Sequence, residues 1–131
     1  MIHGVIFDLD GTLLNTIDDL TDSTNYALSE FGYPERTLDE VKGFVGNGVR
    51  MLMERAIPSG SFNPDFEDCL KAFKNHYQKN MYNKTKPYSG ILELLKTLKL
   101  SGIQTAVVSN KFDSAVKDLC NKYFGDLIKV S

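Results

Sequence analysis

Val5-Ile6-Phe7-Asp8-Leu9-Asp10-Gly11-Thr12-Leu13-Leu14 brings an unbroken apolar run to a stop at an acidic turn. A strand with one wet face alternates apolar and polar residues. A continuous run reads instead as a strand covered on both faces, as in parallel α/β sheets. The reactive crevice of such sheets lies outside the carboxyl ends of the strands. Asp8 and Asp10 stand there. Two residues apart on an irregular turn, their oxygens can face one small volume, where two ionised carboxylates repel unless a cation lies between them. A hard divalent ion, Mg²⁺, meets that need with oxygen ligands. One carboxylate can then act as nucleophile while the other moves a proton. Gly11 lets backbone approach an anion closely, and Thr12 adds a hydroxyl.

Beyond the turn the periodicity is helical from about residue 16 to residue 82. Ile17, Leu20, Thr24, Ala27, Leu28 and Phe31 follow a helical repeat, with Thr16 as N-cap, Asp19 at the third position and Gly32 at the end. Thr37-Leu38-Asp39-Glu40 is a capping-box signal. Another helix begins near Val49, after Gly46-Asn47-Gly48. A longer one takes Asn63 as cap and Pro64 as first residue, and turns Phe66, Cys69, Leu70, Phe73, Tyr77 and Met81 inward. Met51, Met53, Phe62, Phe66 and Phe73 are expected to form the core of this segment. Strand-helix rhythm then returns: Ile91, Leu94, Leu95 and Leu98 line a helix closed by Gly102, and residues 103–108 read as a strand ending in Ser109-Asn110-Lys111. Val116, Leu119, Cys120 and Tyr123 mark a further helix, and residues 127–130 a further strand. The fold class is α/β. A partial Rossmann-like core, residues 1–15 and 84–131, is interrupted after its first strand by a helical insert, residues 16–83, with right-handed crossovers.

Composition narrows the function. A chain of 131 residues with 42% hydrophobic and 24% charged residues is ordinary globular material, not a disordered or fibrous one. Fifteen Lys+Arg against 17 Asp+Glu leave a formal net charge of −2, without the broad positive field that a nucleic-acid or polybasic membrane partner requires. No apolar run approaches the roughly 18 residues of a membrane helix, and Met1-Ile2-His3-Gly4 leaves no room for a secretion signal. Cys69 and Cys120 fall at apolar positions and read as buried, reduced thiols. The expectation is a cytoplasmic chain without nucleic-acid or membrane partners.

An isolated Asp-x-Asp is usually a solvated turn. Its conjunction with a second polar strand end, where Ser109, Asn110 and Lys111 offer hydroxyl, amide and ammonium donors to phosphate, carries the functional reading. Phe7-Asp8-Leu9-Asp10-Gly11-Thr12-Leu13-Leu14 resembles the first motif of the haloacid-dehalogenase-like superfamily, and Val107-Val108-Ser109-Asn110 resembles its second. The insert resembles that family's C1-type helical cap. Phe44-Val45-Gly46-Asn47-Gly48-Val49, Tyr88-Ser89-Gly90 and Ser109-Asn110-Lys111 are similar to segments of phosphoglycolate phosphatases.

The resemblance implies a Mg²⁺-dependent phosphatase of a small phosphorylated metabolite, 2-phosphoglycolate first, working through an aspartyl-phosphate. Asp8 would be nucleophile and metal ligand. Asp10 would be acid and base, with its backbone carbonyl also on the metal. Gly11, Thr12, Ser109, Asn110 and Lys111 would bind phosphate. A lid over the crevice can exclude water and select the leaving group, and Gly46, Asn47, Gly48 and Arg50 are the candidates to meet a substrate carboxylate. A phosphosugar phosphatase or β-phosphoglucomutase-like enzyme would share the first motif and the insert. Asn15-Thr16 departs from the Asp-Ser common after the motif. The family pattern also calls for a charge-balancing Lys and a further acidic residue after the third strand. Neither has a match here, since Lys129 falls inside the strand pattern. The sequence therefore reads as an N-terminal portion of a longer phosphatase, with a silent fragment that only binds phosphate or a partner as the alternative. In that case Val5-Ile6-Phe7 would form an apolar edge open to self-association.

Overall fold

Short β-strands and longer helices alternate as β1 (Gly4–Phe7), β2 (Leu14–Asn15), α1 (Ile17–Glu30), α2 (Leu38–Phe44), α3 (Val49–Ala56), α4 (Phe66–Asn80), β3 (Lys86–Pro87), α5 (Ile91–Leu100), β4 (Gln104–Val107), α6 (Asp113–Tyr123) and β5 (Lys129–Val130). This computed structural model describes residues 4–107 and 113–130. The chain divides into two compact units, Met1–Asn15 with Lys86–Ser131, and Thr16–Thr85.

The first unit is built on a parallel sheet of order β1-β4-β5. Val5 lies opposite Thr105, Ile6 opposite Ala106 and Phe7 opposite Val107. The side chains of Thr105 and Val107 are buried, whereas Ile6 is 71% exposed. Leu95 of α5 and Val116, Leu119 and Cys120 of α6 are buried as well. Gly102, with φ of 75°, ends α5: its N–H reaches the Lys99 carbonyl (3.1 Å) and the Ile103 N–H reaches the Leu98 carbonyl (2.9 Å). That double closure requires a left-handed residue, which glycine supplies without a Cβ clash. The α5 stripe is narrower than its sequence suggests, because Leu94 is exposed. Leu127, expected in the last strand, belongs to a 3₁₀ turn over Gly125–Leu127. The strand begins only at Lys129.

A second sheet escapes the sequence altogether. β2 and β3 pair antiparallel, Leu14 with Pro87 and Asn15 with Lys86. Strands of two residues hold no periodicity to read.

In the second unit α1 packs on α4, α2 packs on α1, and α3 packs on α2 and α4. Leu20, Ala27, Leu28, Val41, Leu52, Met53, Phe66 and Phe73 are its buried interior. Thr37 and Glu40 form a reciprocal capping box, with the Glu40 N–H on Thr37 Oγ1 (3.1 Å) and the Thr37 N–H on Glu40 Oε1 (3.0 Å). Thr16 stands before α1 with helical backbone angles and its side chain makes no cap hydrogen bond. Asn63 and Pro64 likewise precede their helix instead of opening it. The Asn63 Oδ1 accepts from the Asp65 N–H (2.8 Å) and the Tyr33 hydroxyl (3.0 Å), and α4 begins at Phe66. Phe62, expected in the core, is 93% exposed, because it ends a 3₁₀ turn (Gly60–Phe62) that contributes no buried residue. Among the described residues no helix is long and apolar enough to cross a membrane. Cys69 and Cys120 are free and buried.

Candidate active site

The parallel register sets Phe7 beside Val107, so β1 and β4 end at the same level. Asp8 is the first residue past that end. Its turn is held from within by Leu9, which is fully buried and whose carbonyl accepts from the N–H groups of Leu13 and Leu14, each at 3.1 Å. The Gly11 N–H closes on the Leu14 carbonyl at 3.0 Å, and Gly11 has a φ of 77°, a left-handed conformation that strains any other L-residue. With Leu9 and Leu13 pinned inside, the polar residues beside them point away from the core: Asp8 and Thr12 are exposed and Asp10 is half-buried. The Leu9 N–H donates to Asp8 Oδ1 at 2.8 Å, fixing the carboxylate on its own turn. Among the described residues Oδ2 meets no donor.

Asp8 and Asp10 are the donors that could hold a metal. Their chemistry fits a hard cation, since both are carboxylates. They are fewer than such an ion needs: among the described residues no group of three or more His, Cys, Asp or Glu is gathered to hold a metal. Ser109, Asn110 and Lys111 lie outside the described residues.

The remaining candidates lie in the helical unit. Gly46 and Gly48 both take positive φ, 113° and 90°, around Asn47. Arg50 is exposed and paired with an acid. Its Nη2 donates to Glu67 Oε1 at 2.6 Å, its Nη1 lies 3.4 Å from Oε2, and its guanidinium sits 5.0 Å over the Phe66 ring. The Arg50 hydrogen bond holds the Glu67 carboxyl below its ordinary range. Arg55, to which no sequence motif points, binds the loop instead, with Nη1 on the Phe44 carbonyl (2.8 Å) and Nη2 on Asn47 Oδ1 (3.0 Å). Only the folding of α2 back on α3 brings these groups together, and no spacing in the sequence announces it.

Asp19 is a second residue whose role the sequence does not announce. It is buried, and its carboxylate accepts from the Lys84 N–H, the Thr85 N–H (2.8 Å) and the Thr85 hydroxyl (2.7 Å), tying the start of α1 to the last residues of its own unit. Two cavities, of about 580 Å³ against Tyr26 and His76 and about 430 Å³ against Gln104 and Leu127, include neither Asp8 nor Asp10.

Residues 5–125 match the haloacid dehalogenase-like hydrolases. The chain belongs to that family. It is 36% identical over 124 residues to a phosphoglycolate phosphatase of Agrobacterium fabrum, covering 89% of this chain and 52% of that protein. A phosphoglycolate phosphatase of Aquifex aeolicus is 36% identical over 115 residues, covering 88% of this chain and 52% of the relative. The crystal structure of a predicted phosphoglycolate phosphatase from Haemophilus somnus superposes with a TM-score of 0.91 at 31% identity, over 98% of this chain and 61% of that one. The chain thus spans about half the length of the curated relatives it matches. In this family setting the α/β core, with its helical unit inserted after the first strand, is the haloacid-dehalogenase fold.

Proposed function

We propose that this chain carries the nucleophile-bearing part of a Mg²⁺-dependent phosphatase for small phosphorylated metabolites, with 2-phosphoglycolate as the preferred substrate. The observation that supports it is the anchored turn after β1, which presents the Asp8 carboxylate with one oxygen held by the Leu9 N–H and the other uncommitted among the described residues. In the proposed reaction that oxygen attacks phosphorus as the ester P–O bond breaks. Asp10 gives a proton to the leaving alkoxide. Asp10 then takes a proton from water as the water oxygen attacks the phosphorus of the aspartyl-phosphate, which frees inorganic phosphate and restores the Asp8 carboxylate. Mg²⁺, held by Asp8 and by Asp10 with its backbone carbonyl, would supply charge balance for two carboxylates and a phosphoester in one place. Ser109, Asn110, Lys111, Gly11 and Thr12 would hold the phosphate oxygens, and the Gly46-Asn47-Gly48 loop would select the leaving group.

A second reading is favoured by the half-length match to the relatives: a phosphate-binding chain without turnover of its own. Hydrolysis of 2-phosphoglycolate with Mg²⁺, wild type against Asp8→Asn, separates the two. The phosphatase reading expects Asp8→Asn to lose at least about a thousandfold in kcat. Equal turnover by both proteins removes Asp8 from the mechanism. No turnover by either, with a phosphate-dependent rise in melting temperature kept only by wild type, supports the silent reading.

A further inference from the structure

The helical unit holds a cavity of about 580 Å³ between α1 and α4, within the size range of small-molecule sites. Its walls carry opposite charges, Glu30 at the end of α1 and Lys79 on α4. Among the described residues neither belongs to an ion pair. Two further wall residues, Tyr26 and His76, stack their rings with centroids 4.2 Å apart and planes 22° from parallel. The stack is set from the protein side. Ser23 is fully buried, and its Oγ lies 2.8 Å from His76 Nδ1, which fixes the imidazole against α1 and leaves Nε2 as its other polar atom.

The course of the helices places the charges. Ser23 meets His76, Asp19 meets Thr85 beyond the end of α4, and Tyr33 meets Asp65 before its start, so α1 and α4 run antiparallel. Glu30 follows Tyr26 by four residues and Lys79 follows His76 by three. On antiparallel helices these steps lead to opposite sides of the ring stack, about 10 Å apart along the axes at a rise of 1.5 Å per residue. The Glu30 side is negative beyond its own carboxylate. No basic residue stands in the last turn of α1, where the carbonyl ends gather partial negative charge. Hydrogen bonding and charge from Glu30 also hold the Tyr26 phenol above its ordinary range, so that carboxylate is turned toward the rings.

We propose that this cavity binds a small linear zwitterion, an ω-amino acid whose ammonium and carboxylate stand several methylenes apart. The ammonium meets Glu30, the carboxylate meets Lys79, and the chain between them lies along Tyr26 and His76. An α-amino acid, with both charges at one end, reaches a single wall at a time. The site lies wholly within the helical unit and does not depend on the phosphatase reading.

Titration of 6-aminohexanoate into the isotope-labelled 131-residue chain, followed by amide chemical shifts, tests the proposal. Saturable shifts should gather at residues 26–31 and 72–79. Hexanoate, hexylamine and glycine each lose one of the two contacts and should bind about fivefold more weakly, the worth of one exposed ion pair. Glu30→Gln should erase the preference for 6-aminohexanoate over hexanoate, and Lys79→Gln the preference over hexylamine. Both positions are exposed, so both variants should keep the fold. An absence of saturable shifts in the wild type, shifts confined to other residues, equal affinity for the four ligands, or preferences that survive both substitutions would each overturn the proposal.

Discussion

Cys69 and Cys120 show at the level of single residues how burial sets chemistry. Neither thiol has a disulfide partner, and burial pushes both up to about 11. A thiolate in an apolar interior lacks the water that would stabilise its charge. The consequence for stability has a definite sign. Below the ordinary thiol range near 8.5 the folded and unfolded chains both keep these protons, and the full contribution is present. As pH rises toward 11 the unfolded chain releases them while the folded chain does not, so stability falls through that window. Urea midpoints should therefore drop between pH 8 and pH 10.5, and a Cys69→Ala, Cys120→Ala double variant should show a shallower drop. An identical slope in the double variant would assign the loss to other groups, such as Tyr33, whose hydroxyl is also raised by its bond to Asp65.

Helices and their ends are the most legible elements because their signals are local. The Thr37–Glu40 capping box and the Gly32 terminus each involve residues within five of one another. At Gly32 the Tyr33 N–H reaches the Leu28 carbonyl and the Gly32 N–H the Ser29 carbonyl, as the sequence leads one to expect. Asp19 marks the limit of that legibility. At the third position of a helix a carboxylate is ordinarily explained by the helix dipole, yet its oxygens are taken by Lys84 and Thr85, 65 and 66 residues away. The β2–β3 ribbon and the Arg55 fork are illegible for the same reason: each depends on a meeting that only the tertiary fold arranges. Phe62 misleads because an aromatic ring in a helical segment looks like core until the short turn that carries it is seen to face outward. At the candidate site, the acidic turn is readable because strand, turn and glycine are consecutive. The clasp itself makes a firm prediction. Asp19→Ala leaves two amides and a buried hydroxyl without their acceptor, and should cost about 3 kcal/mol or more. Equilibrium urea unfolding would measure it, and a change within about 0.5 kcal/mol, the range of an ordinary surface substitution, would show that the clasp is dispensable.

At the scale of the molecule the sheet of the first unit is covered unevenly. The chain steps from β1 to β4 to β5 in one direction across the sheet. Right-handed crossovers taken twice in the same direction lay α5 and α6 on the same face. Residues of the other face stay bare: Ile6 at 71% exposure, with its direct neighbour Ala106 only half-buried and Gln104 exposed. Among the described residues β1 is also an edge of the sheet, with backbone groups available on its outer side. Parallel sheets are ordinarily covered on both faces, and an apolar edge strand is a template for another chain. With this bare face and open edge, the 131-residue chain should self-associate through β1. Sedimentation velocity across a concentration series should show oligomers that Ile6→Lys disperses, because a charge on an edge strand opposes pairing while leaving the buried face, Thr105 and Val107, untouched. Oligomers that persist in Ile6→Lys at the same concentrations would move the contact away from β1, to surfaces such as the exposed Leu100 and Phe62.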